Sequence, residues 1–539
     1  VGEMSGGEER REDRAEHPNG ERPEERLDGL ETGREHAGDN RSDGPKRQGE
    51  AVSNEREYVE NENAPAEPHV EQLELNIDVP EPEPDAGLEA LGEANSKKQE
   101  QGGEDGEGGS GLLRFVNAKI VTPSGVIAGG TCIVAYGVIV SVEDAEGRAV
   151  SAGVGAAEIA GRNGAMEIAG QRGAAEIAGQ RGAAEHAGQS GEQIIDAAGG
   201  WLLPGFVDIH VHGGMGEDFM DAGKPGVLDT IARFHGSHGS TSMLATTMTA
   251  TRDMIDGVLE AVWTHRQRSG MPGADAAGAS IEGVHLEGPF ISPQWPGAQN
   301  PAHISQPRTD WLEDWEARYP GLIRQLTLAP EREGALETIA WLRANGITAA
   351  LGHTDANYEE VLAAVGAGLN HAVHTFNAMT PLHHRKPGAA GAVLGTDSIA
   401  AEIIADGIHV HPGAVRLLAK VKTDGNLVLV TDAMSAAGLG DGDYFLGDLP
   451  VKVEGGVALT LGGALAGSRL TMDEGFRFLV RQAQLSVERA SHAASAAPAR
   501  QAGIYDKTGS IEPGKRADLV LMDEELDLRG VWAAGSKIG

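Results

Sequence analysis

The sequence predicts an α/β protein: a (β/α)8 TIM-like barrel that binds metal, flanked by β-rich segments that pair into a small β-sandwich. Three observations predict it. Eight short apolar runs recur between residues 206 and 430, with helix-like stretches between them, the alternation that parallel β/α folds show. The runs end at His210 and His212, Thr246 and Thr247, Glu287, Glu331, His353, His374, His409 and Asp432. In such a barrel, chemistry sits at the C-terminal ends of the strands, so these side chains would converge on one pocket. Finally, the segments before Phe206 and after Tyr444 both read as β.

The expected barrel strands are 206–211, 242–247, 283–286, 323–328, 348–351, 372–374, 399–404 and 427–430. Expected helices include 224–238, 252–267, 334–344 and 358–367. Ahead of the barrel, the runs 114–121, 130–135, 138–142 and 193–197 are rich in β-branched residues and punctuated by glycine, as in a small antiparallel sheet. Residues 444–461 read as strands, 471–484 as an amphipathic helix, and 517–522 as the strongest late strand. The expected division is an acidic tail over 1–110, the first part of the sandwich over 111–203, the barrel core over 204–442, and the barrel end with the closing sandwich segment over 443–539.

The chain has 539 residues and a net charge of −37. Residues 1–110 hold 12 Lys/Arg and 32 Asp/Glu, a net −20, and the remaining 429 residues hold 32 and 49, a net −17. The tail has one aromatic, Tyr58. It cannot bury enough apolar surface to offset its chain entropy and is expected to be disordered. A nine-residue repeat places Glu158, Glu167, Glu176 and Glu185 in the same phase. Glycine interrupts every unit, so a low-complexity loop insertion over about 152–192 is expected. An acidic chain is a poor partner for nucleic acid or anionic membrane. No apolar run is long enough for a membrane helix, and the N-terminus lacks a signal-peptide core. With Cys132 as the single cysteine, a reducing, cytoplasmic setting is the expectation.

The strand ends carry the chemistry. His210-Val-His212 follows Pro-Gly-Phe-Val-Asp and precedes two glycines, so a bending strand end could turn both imidazoles toward one ion. Glu287 lies directly before Gly-Pro, a stiff turn that suits an oxygen ligand. His353 and His374 at successive strand ends are nitrogen ligands by the same reasoning. One or two divalent ions, Zn or Fe, are expected, activating water and polarising a carbonyl. Asp432, after an apolar run, is the expected general base. The cluster His383-His-Arg385-Lys386 is the densest basic patch, suited to a phosphate through the planar Arg385 guanidinium, with His409 able to join it.

The strings at 204–213, 285–290, 352–356, 374–379, 405–410, 431–433 and 466–472 resemble the N-acetylglucosamine-6-phosphate deacetylase family of the amidohydrolase superfamily. Residues 509–520 resemble the closing sandwich segment of amidohydrolases in general. The resemblance runs from about Leu112 to Gly539, apart from the repeats and part of 486–501. It implies that Glu287, His353 and His374 hold the metal common to the family. His210 and His212, which some members replace, would hold a second ion. It implies Asp432 as catalytic acid/base, and Asn377, Ala378, Arg385 and His409 as contacts to the sugar phosphate. In that family the phosphate-binding arginine can come from a neighbouring subunit, which implies a homodimer. One departure stands out: where some members carry a carbonyl-polarising histidine, this chain has Gln299, a hydrogen-bond donor that could serve. The implied reaction is hydrolysis of an N-acetylated amino-sugar phosphate to the amine and acetate, in amino-sugar catabolism or cell-wall sugar recycling. Another amidohydrolase reaction, such as deamination or cyclic-amide hydrolysis, shares His210, His212 and Asp432 but does not need residues 374–379 and 383–386. A binding barrel without activity would have no reason to keep the full ligand set.

Overall fold

The structure, a computed structural model, describes residues 112–150, 192–269, 278–423 and 425–539. The expectations for the acidic tail and the nine-residue repeats lie outside these residues.

Eight parallel strands follow one another around a barrel: β1 Phe206–Val211, β2 Ser240–Thr247, β3 Ser280–Glu287, β4 Ile323–Leu328, β5 Thr348–Leu351, β6 His371–Ala372, β7 Ala400–Ile404 and β8 Leu427–Val430. Each leads to a helix: α1 Val227–Ser237, α2 Arg252–Ser269, α3 Thr309–Arg318, α4 Ala335–Ala344, α5 Tyr358–Ala367, α6 Gly388–Gly395, α7 Pro412–Val421 and α8 Met472–Arg481. Ladders join neighbours from β1 through β8. The seam between β8 and β1 closes through other bonds. Asp432 N donates to His210 O at 2.8 Å and His212 N to Ala433 O at 2.8 Å. The buried Asp208 carboxylate accepts from the Thr431 hydroxyl at 2.5 Å.

Local sequence explains the helix ends. Asn357 and Glu360 form a reciprocal capping box at the start of α5, and Gly368 ends it in a left-handed conformation at φ 119°, as such termini favour. The helices bury one stripe against the strands, with Leu312 and Trp315 of α3 and Ile339 and Leu342 of α4 fully enclosed. Phe206 of β1 stacks on Phe476 of α8, with ring centroids 5.2 Å apart.

Four strands, β2, β3, β6 and β7, differ at their ends from the sequence expectation, and at β6 the difference bears on the site. The ladder of β6 ends at Ala372 rather than at His374. Val373 N still donates to Leu351 O at 2.9 Å, but His374 turns to φ 28°, which takes its side chain out of the pleat.

The described segments that flank the barrel, from Leu112 and from Leu519, share a second sheet. Trp201–Pro204 is its hinge: it runs parallel to Leu112–Thr122, with Ile120 opposite Leu202, and antiparallel to Leu519–Met522, with Leu202 opposite Leu521. The sheet rolls onto itself, as a sandwich requires. Phe115 meets Trp532 edge to face at 4.8 Å, and Ala517 N donates to Gly137 O at 2.8 Å. Its separate core holds Ile120, Cys132, Ile139 and Leu519, and burial pushes the Cys132 thiol up to about 12. A third, antiparallel sheet comprises Gly442–Leu446, Leu449–Glu454 and Val457–Thr460. It packs Leu446, Val451 and Val453 onto Met248, Ala298 and Met434, at the C-terminal end of the barrel.

The opposite end is closed by the alanine-rich 487–501 segment, whose middle turn, His492–Ala496, is a π-helix. Small side chains let it approach closely, and Gln501 O accepts from the Thr348 hydroxyl at the start of β5 at 2.7 Å. Arg516 ties the rolled sheet to the barrel. Its guanidinium pairs with Glu282 of β3 and with Asp518, both at 2.6 Å, and donates to Ser242 of β2 at 2.6 Å. Arg516→Ala would strand two buried carboxylates, and unfolding in urea should show a loss of about 3–5 kcal/mol. Glu282 is held below the usual carboxylate range against the effect of burial, chiefly by Arg516. The ion pair's stability is therefore lost as pH falls through that lowered value, and the gap between variant and parent should narrow in acid.

Candidate metal centre and active site

Six predicted side chains meet at the C-terminal mouth. His210 is the penultimate residue of β1, and His212 lies one residue beyond the strand. Glu287 is the last residue of β3. His353, His374 and Asp432 follow β5, β6 and β8 by two residues each. These last three adopt left-handed backbone, at φ 47°, 28° and 50°. This uncommon conformation for non-glycine residues concentrates at functional sites. It turns the three side chains inward from strands whose pleat alone would alternate them.

The Glu287 carboxylate is the meeting point. Its Oε1 lies 3.1 Å from His374 Nε2, 3.2 Å from His353 Nε2 and 3.3 Å from His210 Nε2. Its Oε2 lies 3.2 Å from His212 Nε2. Asp432 Oδ1 is 3.3 Å from His212 Nε2 and 3.6 Å from His210 Nε2. Two triads result: Glu287, His353 and His374, and His210, His212 and Asp432. Bonds of about 2.0–2.2 Å to a tetrahedral ion would put its ligand atoms roughly 3.3–3.6 Å apart, close to these separations.

The outer hydrogen bonds also fit a metal. His353 Nδ1 faces Trp295 O at 3.0 Å, and His374 Nδ1 faces Asn377 O at 3.2 Å. A carbonyl only accepts, so each Nδ1 carries the proton and each Nε2 lone pair points at the centre. His210 Nδ1 bonds Glu402 at 2.8 Å, while its buried Nε2 has no hydrogen-bond partner. The donor set and this orphaned nitrogen fit one or two divalent cations.

Charge balance agrees. Burial disfavours a charged His210, yet Glu402, Glu287 and Asp432 outweigh it and hold its pKa well above the ordinary value. His212 is likewise pushed up to about 9, because Asp432 and Glu287 overcome burial. Against the same burial, the imidazoles hold Glu287 well below the usual carboxylate range and lower Asp432 as well. A pocket that draws protons onto its imidazoles is one that attracts cations.

A cavity of about 350 Å³ opens over the centre, and Gln299, Asn377, Ala378 and His409 line it along with five of the six ligands. His409 Nδ1 pairs with Asp406 at 2.7 Å. Burial would lower the His409 pKa, but Asp406 raises it above the ordinary value, which suits an anionic group. Gln299 is committed at both ends: its Nε2 donates to Glu287 Oε2 at 2.5 Å and its Oε1 accepts from Thr249 N at 2.6 Å. Through one Nε2 hydrogen the amide orients a ligand carboxylate while its side chain lines the cavity. Arg385 does not reach this cavity. It lies on an exposed loop, with its guanidinium 2.8 Å from His384 Nε2. Glu331 shapes the site from behind, accepting from the Thr354 hydroxyl at 2.6 Å and from Asp355 N at 2.8 Å.

Sequence reasoning missed the polar barrel interior. Asp208, His285, Gln325, His371 and Glu402 are buried beneath the ligands. The signal was present: a charged residue inside Ala-Ala-Glu402-Ile-Ile cannot be buried without partners. It also missed Trp295, Leu446 and Leu465 in the cavity wall; Leu446 comes from the third sheet.

The amidohydrolase family model matches residues 201–537. This chain belongs to the amidohydrolase family. It is 41% identical over 327 residues to N-acetylglucosamine-6-phosphate deacetylase of Bacillus subtilis, covering 61% of this chain and 82% of the relative. It is 40% identical over 334 residues to N-acetylgalactosamine-6-phosphate deacetylase of Escherichia coli O157:H7, covering 62% and 86%. The fold is similar to the solved structure of a Mycobacterium smegmatis N-acetyl-D-glucosamine-6-phosphate deacetylase variant in complex with N-acetyl-D-glucosamine 6-phosphate. The TM-score is 0.64 at 31% identity, covering 79% of this chain and 98% of that one. Among the described residues, no helix is long and apolar enough to cross a membrane.

Metal uptake by the metal-free protein should release protons at pH 7 and tighten as pH rises toward about 9, because the ion displaces protons held on His210 and His212. Calorimetry in buffers of different ionisation enthalpy reads that release directly.

Proposed function

We propose that this chain hydrolyses the N-acetyl group of N-acetylglucosamine 6-phosphate, giving glucosamine 6-phosphate and acetate. The observation that carries the reading is the convergence of four imidazoles, Glu287 and Asp432 beneath a cavity that Asn377, Ala378 and His409 also line. Relatives named for that activity, about 40% identical over most of their length, support it.

We assign Glu287, His353 and His374 to one divalent ion, with zinc as the metal their donors suit best, and His210, His212 and Asp432 to a second. When bound, such an ion supplies a Lewis acid that acidifies water and polarises the acetamide carbonyl. Asp432, ionised and at the cavity floor, accepts the proton of the attacking water. It then returns that proton to the amine nitrogen as the C–N bond breaks. Gln299 fixes Glu287 through its amide. His409, whose pKa Asp406 raises, and the Asn377–Ala378 backbone turn hold the distant phosphate, whose binding energy positions the acetamide. Arg385, exposed in one chain, would complete the phosphate site of a second copy, so the working unit is a homodimer. A phosphorylated sugar substrate and a single cysteine fit a cytoplasmic enzyme.

The 40% identity to a relative named N-acetylgalactosamine-6-phosphate deacetylase favours a second reading, the C4 epimer as substrate. Acetate release from both sugar phosphates, with chelator and with zinc restored, separates the two readings. Release from neither sugar by metal-loaded protein would overturn both.

Asp432→Asn should keep the ion of the Glu287–His353–His374 triad while kcat falls about 10²–10⁴-fold; an unchanged kcat removes Asp432 from the role. Arg385→Ala should raise KM for the phosphorylated sugar and leave the weak use of unphosphorylated N-acetylglucosamine unaltered, as steady-state kinetics on both substrates would read.

A further inference from the structure

Glu402 lies in the middle of β7, fully buried, and takes no part in the proposed chemistry. Its carboxylate nevertheless accepts four hydrogen bonds. Oε1 accepts from His371 Nε2 at 2.8 Å and Gln325 Nε2 at 3.1 Å. Oε2 accepts from His210 Nδ1 at 2.8 Å and from the backbone N–H of His374 at 3.2 Å. It therefore touches the backbone of one ligand triad and an imidazole of the other.

The partners of the ligand histidines are unequal. His353 and His374 are oriented by neutral backbone carbonyls, those of Trp295 and Asn377. The Nδ1 of His212 has no partner among the described residues. His210 alone of the four is backed by a carboxylate. An anionic acceptor fixes the tautomer more firmly than a carbonyl and makes the opposite nitrogen a stronger donor to a metal. Charge counting points the same way. Glu287 and Asp432 together balance one divalent ion, and Glu402 adds a third buried negative charge that a second cation relieves.

We propose that Glu402 is a positioning residue that makes this a two-ion centre: by holding His210 and adding its charge, it secures the ion of the His210–His212–Asp432 triad. The inference rests on the reading of this cluster as a metal site, but not on the identity of the substrate.

The test is cobalt(II) titration of the metal-free full-length protein, followed by visible absorption and by metal analysis per subunit. The parent should bind two ions. Glu402→Gln keeps the shape but can satisfy only one pair of the four donors, and it removes the charge. It should keep the first ion at parent affinity and bind the second about 10–100-fold more weakly. Glu402→Asp, which retains the charge, should recover part of that loss. If Glu402→Gln does not fold, Glu402→Asp decides: selective weakening of the second ion supports the proposal, and unchanged binding of both overturns it. The proposal also falls if the parent binds a single ion, if Glu402→Gln binds two at parent affinity, or if both variants weaken both ions alike, which marks a merely structural role. A parent that binds two ions but releases no acetate overturns the functional reading and leaves this one standing.

Discussion

Removing an ionised carboxylate from water costs several kcal/mol unless opposite charge and hydrogen bonds replace its hydration. This barrel buries Glu287, Glu402 and Asp432 together, and their compensation shapes the rest of the site. Four imidazoles crowd around Glu287, Glu402 is saturated by four donors, and Asp432 leans on His212. Asp208, beneath them, lacks a comparable cation. Burial pushes it up to about 7 despite its bonds to Thr431, so it serves as a seam-closing hydrogen-bond partner. Where cationic compensation is available the carboxylates stay ionised, as ligation and proton transfer require.

Such a cluster needs a rigid frame, and the barrel divides the labour between its two ends. At the lower end the 487–501 segment and the Arg516 ion pairs fasten helices and rolled sheet to the strands. At the upper end the backbone departs from the pleat. Gly288 shows how tightly: it sits at φ 81°, and a Cβ there would lie 2.1 Å from Thr249 Oγ1. That leaves the Glu287 turn no room for a side chain. The third sheet walls the cavity with Leu446, so the chain that follows Asp432 folds back to shelter the site.

Much of this was legible in the sequence. Apolar periodicity with glycine and proline punctuation located β1, β4, β5 and β8 to the residue, and ligand-type residues at the strand ends named all six members of the cluster. Both signals are local: a strand's length and the polar residue that stops it lie within a few positions of each other. The family's strings supplied the rest of the candidate list, including Asn377, Ala378 and His409, all of which line the cavity.

The sequence by itself determined the barrel, its order of strands and the donors offered at its mouth, because these follow from the pattern of neighbouring residues. Tertiary structure alone decided what those donors do to one another. Closing the barrel brings β8 against β1, and inside it Glu402 of β7 lies 2.8 Å from His210, 192 positions away. It turns Gln299 onto Glu287 and leaves Arg385 outside the cavity its chemistry suggested. Hydrogen bonds and charge act over a few ångströms of space, and no local pattern records which distant strand will lie within that reach.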